Sequence, residues 1–243
     1  MGIPASGDRL LVSERFVSLQ GEGVSAGAPA VFLRLGNCNL SCNYCDTPYT
    51  WDETRFDLQT ELSPLEINEV ASWIAAQNHG RLIVTGGEPL LQHARLTQLF
   101  ASLDGLLSAQ GAQELTVEIE TNGTVKPSPA LLTRVNQWNV SPKLSFSGES
   151  SARRLKPDVL RCFAALPHAF FKFVVRSPSD VDEVEALIEC YDFERARVLL
   201  MPEAIEPLAL RERSPQVAEW ALGAGLRFSS RLHLELYGGR RGT

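Results

Sequence analysis

Gly36-Asn37-Cys38-Asn39-Leu40-Ser41-Cys42-Asn43-Tyr44-Cys45-Asp46-Thr47 is the stretch from which the rest of the chain can be read. It packs three cysteines into C-x3-C-x2-C spacing, while the other two, Cys162 and Cys190, stand alone far downstream. Structural zinc takes a closed set of four sulfur or nitrogen ligands, usually as two separated pairs. The histidines His79, His93, His168 and His233 form no H-x3-5-H pair that could complete such a set. Three clustered thiolates can instead hold three irons of a 4Fe-4S cluster and leave the fourth open. An open coordination position is one that a substrate or cosubstrate fills. On spacing alone, a redox or disulfide cluster, or a zinc site closed by a distant residue, stays open as an alternative.

Outward from this loop, apolar strands alternate with helical stretches. Val31–Leu35 reads as a strand running into the cysteines, and Arg81–Val84 as the next, ending in Thr85-Gly86-Gly87-Glu88-Pro89. Leu115–Ile119 leads to Glu120-Thr121-Asn122-Gly123, and a short strand leads to Ser141-Pro142-Lys143. Phe170–Val175 and Val198–Leu200 follow, the latter ending in Met201-Pro202-Glu203, and a last strand is expected near 226–234. Ser63-Pro64-Leu65-Glu66 reads as a helix start, with Ser63 as cap and Glu66 three residues on. Helices are expected over about 93–109 and 128–136, from a cap at Ser179 to about 190, and near 214–223. The pattern predicts an α/β fold, a partial (β/α) barrel of about six mainly parallel strands. The polar words fall where strands end, the rim that carries the site in such folds. No linker divides the chain, so residues 1–243 are expected to form one domain. The segment 144–170 carries no assignable motif.

A formal charge of −6, with no basic run beyond Arg240-Arg241, argues against a nucleic-acid surface. No apolar run approaches membrane-spanning length and Met1–Asp8 has no leader pattern. Three crowded thiols fit a reducing compartment, so a cytoplasmic protein is expected. Cys162 and Cys190 read as small core residues, and the four tryptophans as core or rim. An isolated Lys143 or His233 would by itself be read as surface and packing respectively.

Taken together, the cysteine loop after one strand and Gly-Gly-Glu-Pro after the next resemble the radical S-adenosylmethionine (SAM) superfamily. Within it, the chain resembles the 7-carboxy-7-deazaguanine synthase family, from Leu19-Gln20-Gly21-Glu22-Gly23 to the His233–Gly242 segment. That resemblance implies a radical lyase that contracts 6-carboxy-5,6,7,8-tetrahydropterin to 7-carboxy-7-deazaguanine with loss of ammonia, on the way to queuosine and other 7-deazapurines. It implies a 4Fe-4S cluster on Cys38, Cys42 and Cys45, and Mg²⁺ at Thr47. It implies SAM contacts from Tyr44, Cys45, Asp46, Gly87, Glu120, Ser141, Pro142, Lys143 and Met201. Leu19, Gln20, Gly21, Glu22, Arg34, Thr85, His233 and Thr243 would meet the pterin, with the planar fork of Arg34 suited to its carboxylate. A homodimer and an electron donor such as flavodoxin or ferredoxin are implied as partners, with no nucleic acid and no membrane. Tyr237 and Gly239 depart from the Trp and Asn common in that family. A glycyl-radical activating enzyme would share the loop and fold but leave Gln20–Gly23 unexplained.

Overall fold

A computed structural model describes residues 7–111 and 114–243; most of Met1–Asp8, considered above for a leader pattern, lies outside them. Among the described residues nine strands form one sheet: β1 Arg9–Leu19, β2 Pro29–Leu35, β3 Ser63–Glu66, β4 Arg81–Gly86, β5 Thr116–Thr121, β6 Gln137–Val140, β7 Ala169–Val175, β8 Val198–Pro202 and β9 Arg227–Phe228. Their order is β3-β1-β2-β4-β5-β6-β7-β8-β9. Every neighbouring pair from β2 to β9 is parallel, whereas β1 runs antiparallel to both β2 and β3. The order is open at β3 and β9, so the sheet is the expected partial barrel. Its six longer parallel strands are β2 and β4 to β8, extended at each edge.

Strand alternation separates a core face from a site face. Leu33 and Leu35, Leu82 and Val84, Val117 and Ile119, and Phe171 and Phe173 all join one buried cluster. Helices Ile67–Ala76, His93–Ala109, Pro157–Ala164 and Pro178–Tyr191 cover that face with Val70, Leu99, Phe100, Phe163 and Val184. Each such side chain contributes about 1.5–3 kcal/mol by leaving water. The intervening residues point the other way: Arg34, Thr85, Glu118, Glu120, Asn139, Lys172 and Met201. One period-two pattern thus yields both the core and a concave polar face. Among the described residues no helix is long and apolar enough to cross a membrane.

The structure corrects several expectations. Ser63–Glu66 is a strand, not a helix start, because it pairs along β1 from Arg9↔Glu66 to Val12↔Ser63. Pro64 is tolerated there because β3 is an edge, where a missing N–H costs no ladder bond. The helix begins only at Ile67. Strand β1 was not expected at all. The predicted last strand shrinks to Arg227–Phe228, and His233 lies on helix Leu232–Tyr237. Ser177, not Ser179, caps helix Pro178–Tyr191: the Asp180 carboxylate accepts from the Arg176 and Ser177 N–H groups at 2.9 and 3.0 Å. Helix Pro207–Ala224 is longer than expected. Cys190 is exposed and Cys162 half-buried, so neither is a core residue. Trp138 is fully buried, as a core tryptophan should be.

Candidate active site

The C-terminal ends of the parallel strands surround one cavity of about 220 Å³. Every site residue expected from sequence lines it except Pro142, which is buried behind it. The cavity has two halves, one built on the cysteine loop and one on the β1–β2 connection with the C-terminal segment.

The cysteine loop leaves β2 through Asn37, whose φ of 69° lies in the left-handed region that Asn tolerates. Its peptide is clamped from two sides: Asn37 N donates to the Thr50 carbonyl at 2.8 Å, and Glu88 N donates to the Asn37 carbonyl at 2.8 Å. Gly87 lets β4's end come this close, since a Cβ there would overlap the Asn37 carbonyl and lie 3.1 Å from Cys38 Cβ. Glu88 itself is fully buried and accepts from Thr121 Oγ1 at 2.9 Å, Asn122 N at 2.7 Å and Leu90 N at 2.9 Å. Burial pushes its carboxyl above the ordinary range. It works as a strut between β4 and β5, not as a ligand.

The unassigned stretch after Lys143 braces the same loop. Glu149 Oε1 accepts from Ser41 N at 2.5 Å and Ser41 Oγ at 2.9 Å, while Asn43 Nδ2 donates to the Phe146 carbonyl at 3.0 Å. Arg153 Nη2 reaches the Asn39 carbonyl at 2.7 Å. Tyr44 packs on Phe146, with ring centroids 4.9 Å apart. These brace residues carry no local sequence signal, because their partners lie a hundred positions away.

Cys38, Cys42 and Cys45 are free thiols, each half-buried, around one end of the cavity. Among the described residues no three His, Cys, Asp or Glu side chains converge as a single ion would require. Soft sulfur donors spread around a cavity suit a larger iron–sulfur group instead. Two donors already point at the sulfurs: Leu40 N lies 3.5 Å from Cys38 Sγ, and Trp51 Nε1 lies 3.3 Å from Cys45 Sγ. Burial pushes the Cys38 thiol up to about 12, so a bare thiolate there is unfavourable without a metal to balance it. Lys143 supplies a nearby cation. Burial works against its charge, but Tyr44 and the three cysteines outweigh it and hold its pKa up. Its Nζ donates to Ser141 Oγ at 3.1 Å. The residues present therefore fit a 4Fe-4S cluster. Thr47 Oγ1 sits 3.8 Å from Cys45 Sγ at the cavity edge.

The other half is a polar network. Glu120 accepts from Thr85 Oγ1 at 2.7 Å and Gln20 Nε2 at 3.1 Å. Glu22 is held by Lys172 and by Arg231, whose Nε is 2.8 Å from Glu22 Oε1. Arg231 also pairs with Asp46 beside the third cysteine and donates to the Ala204 carbonyl. Burial would raise the Glu22 carboxyl, but Lys172 and Arg231 prevail and hold it well below the carboxylate range. Asp46 is likewise held low, by Arg231 against burial. Arg34 Nε donates to Glu14 Oε2 at 2.6 Å. His233 packs on Gly21, where any Cβ would overlap its ring, and Leu232 N donates to the Gly21 carbonyl at 2.8 Å. Burial, ahead of the competing pull of Glu22, lowers the His233 pKa and favours neutral imidazole.

Sequence reasoning missed Arg231 and Lys172, both more than nine-tenths buried in this network. A lysine alternating with apolar residues in Phe170-Phe171-Lys172-Phe173-Val174 was the available signal. Arg231 offered none beyond standing two residues before His233. Trp51, read as core or rim, lines the cavity.

Residues 34–143 match the model of the Radical SAM superfamily. The 7-carboxy-7-deazaguanine synthase of Pyrobaculum aerophilum is 41% identical over 96% of this chain and 97% of its own length. The synthase of the same name from Hyperthermus butylicus is 36% identical over 93% of this chain and 92% of its own. Among solved structures, QueE from Escherichia coli superposes with a TM-score of 0.66 at 25% identity, covering 93% of this chain and 95% of that one.

Proposed function

Because the chain belongs to the family of 7-carboxy-7-deazaguanine synthases, we propose that it converts 6-carboxy-5,6,7,8-tetrahydropterin to 7-carboxy-7-deazaguanine and ammonia. The observation that carries this reading is the single cavity in which three free cysteines face a network of Gln20, Glu22, Arg34, Thr85, Glu120 and His233. The reaction loses only ammonia and is redox-neutral overall, so no general oxidant is required. Cys38, Cys42 and Cys45 would hold a 4Fe-4S cluster, which with SAM would supply the radical chemistry. The remaining tasks belong to this chain's side chains, which bind, orient and exclude water.

Arg34 is the carboxylate anchor: Glu14 occupies its Nε edge and leaves the terminal amino groups for a bidentate partner. Glu22 is an acceptor for the ring amino and amide N–H groups of a pterin. Lys172 and Arg231 keep Glu22 ionised and therefore unable to donate. Neutral His233 can donate from one nitrogen and accept at the other. Tyr44, Cys45, Asp46, Gly87, Glu120, Ser141, Lys143 and Met201 take SAM, with Pro142 supporting Ser141 from behind. Thr47 offers a hydroxyl to Mg²⁺, a cation that keeps few protein ligands. Leu19, Gly21 and Thr243 close the pterin end. In this reading the chain is one radical SAM domain, acts as a homodimer in the cytoplasm and draws its electron from a flavodoxin or ferredoxin.

The test is an anaerobic incubation of reconstituted protein with dithionite, SAM, Mg²⁺ and 6-carboxytetrahydropterin, followed by mass spectrometry. Carboxydeazaguanine formed by the wild type and not by Cys42→Ala supports the assignment. Release of 5′-deoxyadenosine with no pterin conversion removes the substrate assignment and turns attention to a partner protein.

A further inference from the structure

Arg241 is half-exposed and lies outside the cavity, yet it is held by three groups at once. Its guanidinium sits 3.6 Å over the Tyr49 ring centroid. Its Nη2 lies 2.7 Å from Glu61 Oε2, and its Nε lies 3.3 Å from Glu14 Oε1. Two positions later Thr243 lines the cavity. An exposed arginine with a single ion pair would hold little. An aromatic face and two carboxylates together make a built seat.

The seat is shared with the cavity. Glu14 Oε2 accepts from Arg34 Nε at 2.6 Å and from the Tyr49 hydroxyl at 2.9 Å, while its Oε1 faces Arg241. Glu14 and Arg34 are register partners on β1 and β2, so the pairing is fixed by the sheet. Glu14, Glu61 and Arg34 alone carry a net charge of −1; with Arg241 seated the group is neutral. An anion approaching Arg34 therefore meets a more favourable field when residues 238–243 are closed.

We propose that Arg241 is a positioning residue that latches the C-terminal segment over the cavity, and that Glu14 couples this latch to Arg34 so that closure strengthens binding of a carboxylate-bearing ligand there. The coupling is reciprocal: neutralising Arg34, by ligand or by substitution, favours closure. The ligand class rests on the function proposed above; the latch itself does not.

Millisecond hydrogen–deuterium exchange over residues 238–243, in protein without SAM or substrate, tests both parts. Arg241→Gln is expected to speed exchange there about fivefold. Unchanged exchange overturns the latch. Arg34→Met is expected to slow it, because Arg241 is then the one cation still paired with Glu14; no change or faster exchange overturns the coupling. Binding of pterin-6-carboxylate and of 6-methylpterin is then compared. Arg241→Gln should weaken the carboxylated probe about fivefold while leaving the other within twofold. Equal weakening of both overturns the carboxylate selectivity. If the wild type binds neither probe, the pterin reading falls, while the exchange results still decide the latch.

Discussion

Trp51 Nε1 donates to Cys45 Sγ across 3.3 Å, the one indole hydrogen bond to a cluster cysteine among the described residues. Hydrogen bonds to ligand sulfur stabilise the more electron-rich, reduced state. Trp51→Phe keeps the ring and deletes the donor. Reconstituted Trp51→Phe should therefore show a more negative midpoint potential, on the order of 50 mV if the bond contributes about 1 kcal/mol differentially. EPR-monitored redox titration measures the shift, and an unmoved potential would show that this contact has no electronic role.

Gly87→Ala should cripple cluster loading without unfolding the sheet. The added methyl meets a backbone carbonyl, that of Asn37, which no rotamer change can move. Iron and sulfide per chain after reconstitution should fall severalfold against the wild type. Gly105→Ala is the control: it sits in helix His93–Ala109 with nothing within 4 Å of its added Cβ. It should gain roughly 0.5–1 kcal/mol of helix stability with full iron loading.

Arg231→Met should be the most destabilising substitution in the cavity, by about 3–5 kcal/mol in urea unfolding of metal-free protein at neutral pH. It strips a buried partner from both Glu22 and Asp46. Both carboxyls titrate lower folded than unfolded, from ordinary values of 4.5 and 3.8. Their stabilisation is complete above those values and is lost as the pH falls below them. The gap between wild type and Arg231→Met should accordingly narrow as unfolding is repeated from about pH 5 to about pH 2. A gap that is constant across that range would assign the loss to packing instead of charge.

Gly21→Ala and His233→Ala should not add. The alanine methyl at position 21 occupies the space of the His233 ring. Each single change should weaken pterin binding, and the double variant should lose little more than His233→Ala alone. Isothermal titration with pterin-6-carboxylate provides the cycle; full additivity would mean that the two positions act independently.

The sheet was legible wherever a strand was buried on one face and ended in a polar word, as with Arg81–Val84 before Gly86-Gly87. It was not legible at β1, whose run Arg9–Leu19 mixes charged and apolar residues because β2 and β3 flank it and its site face carries Glu14. Ser63-Pro64-Leu65-Glu66 has helix-start chemistry, yet pairing with β1 claims the same backbone groups first. Local propensity lost to a tertiary ladder there. His233 was expected on a strand from Leu232 and Leu234, but β9 stops at Phe228 and the chain turns to meet Gly21. The cavity-lining residues expected on the cysteine loop and strand ends carry local words. Arg231, Lys172 and Glu149 act through partners remote in sequence, so only the fold brings their purpose into view.

The β1–β2 connection fastens to the far end of the chain: Gly23 N donates to Ser229 Oγ at 2.8 Å, and Glu22 and Gly21 meet Arg231 and Leu232. During translation the cysteine loop emerges from the ribosome long before these closing residues exist. A nascent chain would expose its thiols to oxygen and stray metals with one wall of their chamber still unmade. Cluster delivery is therefore best timed after Ser229 to Leu232 have been made and docked, and a product truncated before them would be unable to shelter a cluster even with all three cysteines intact.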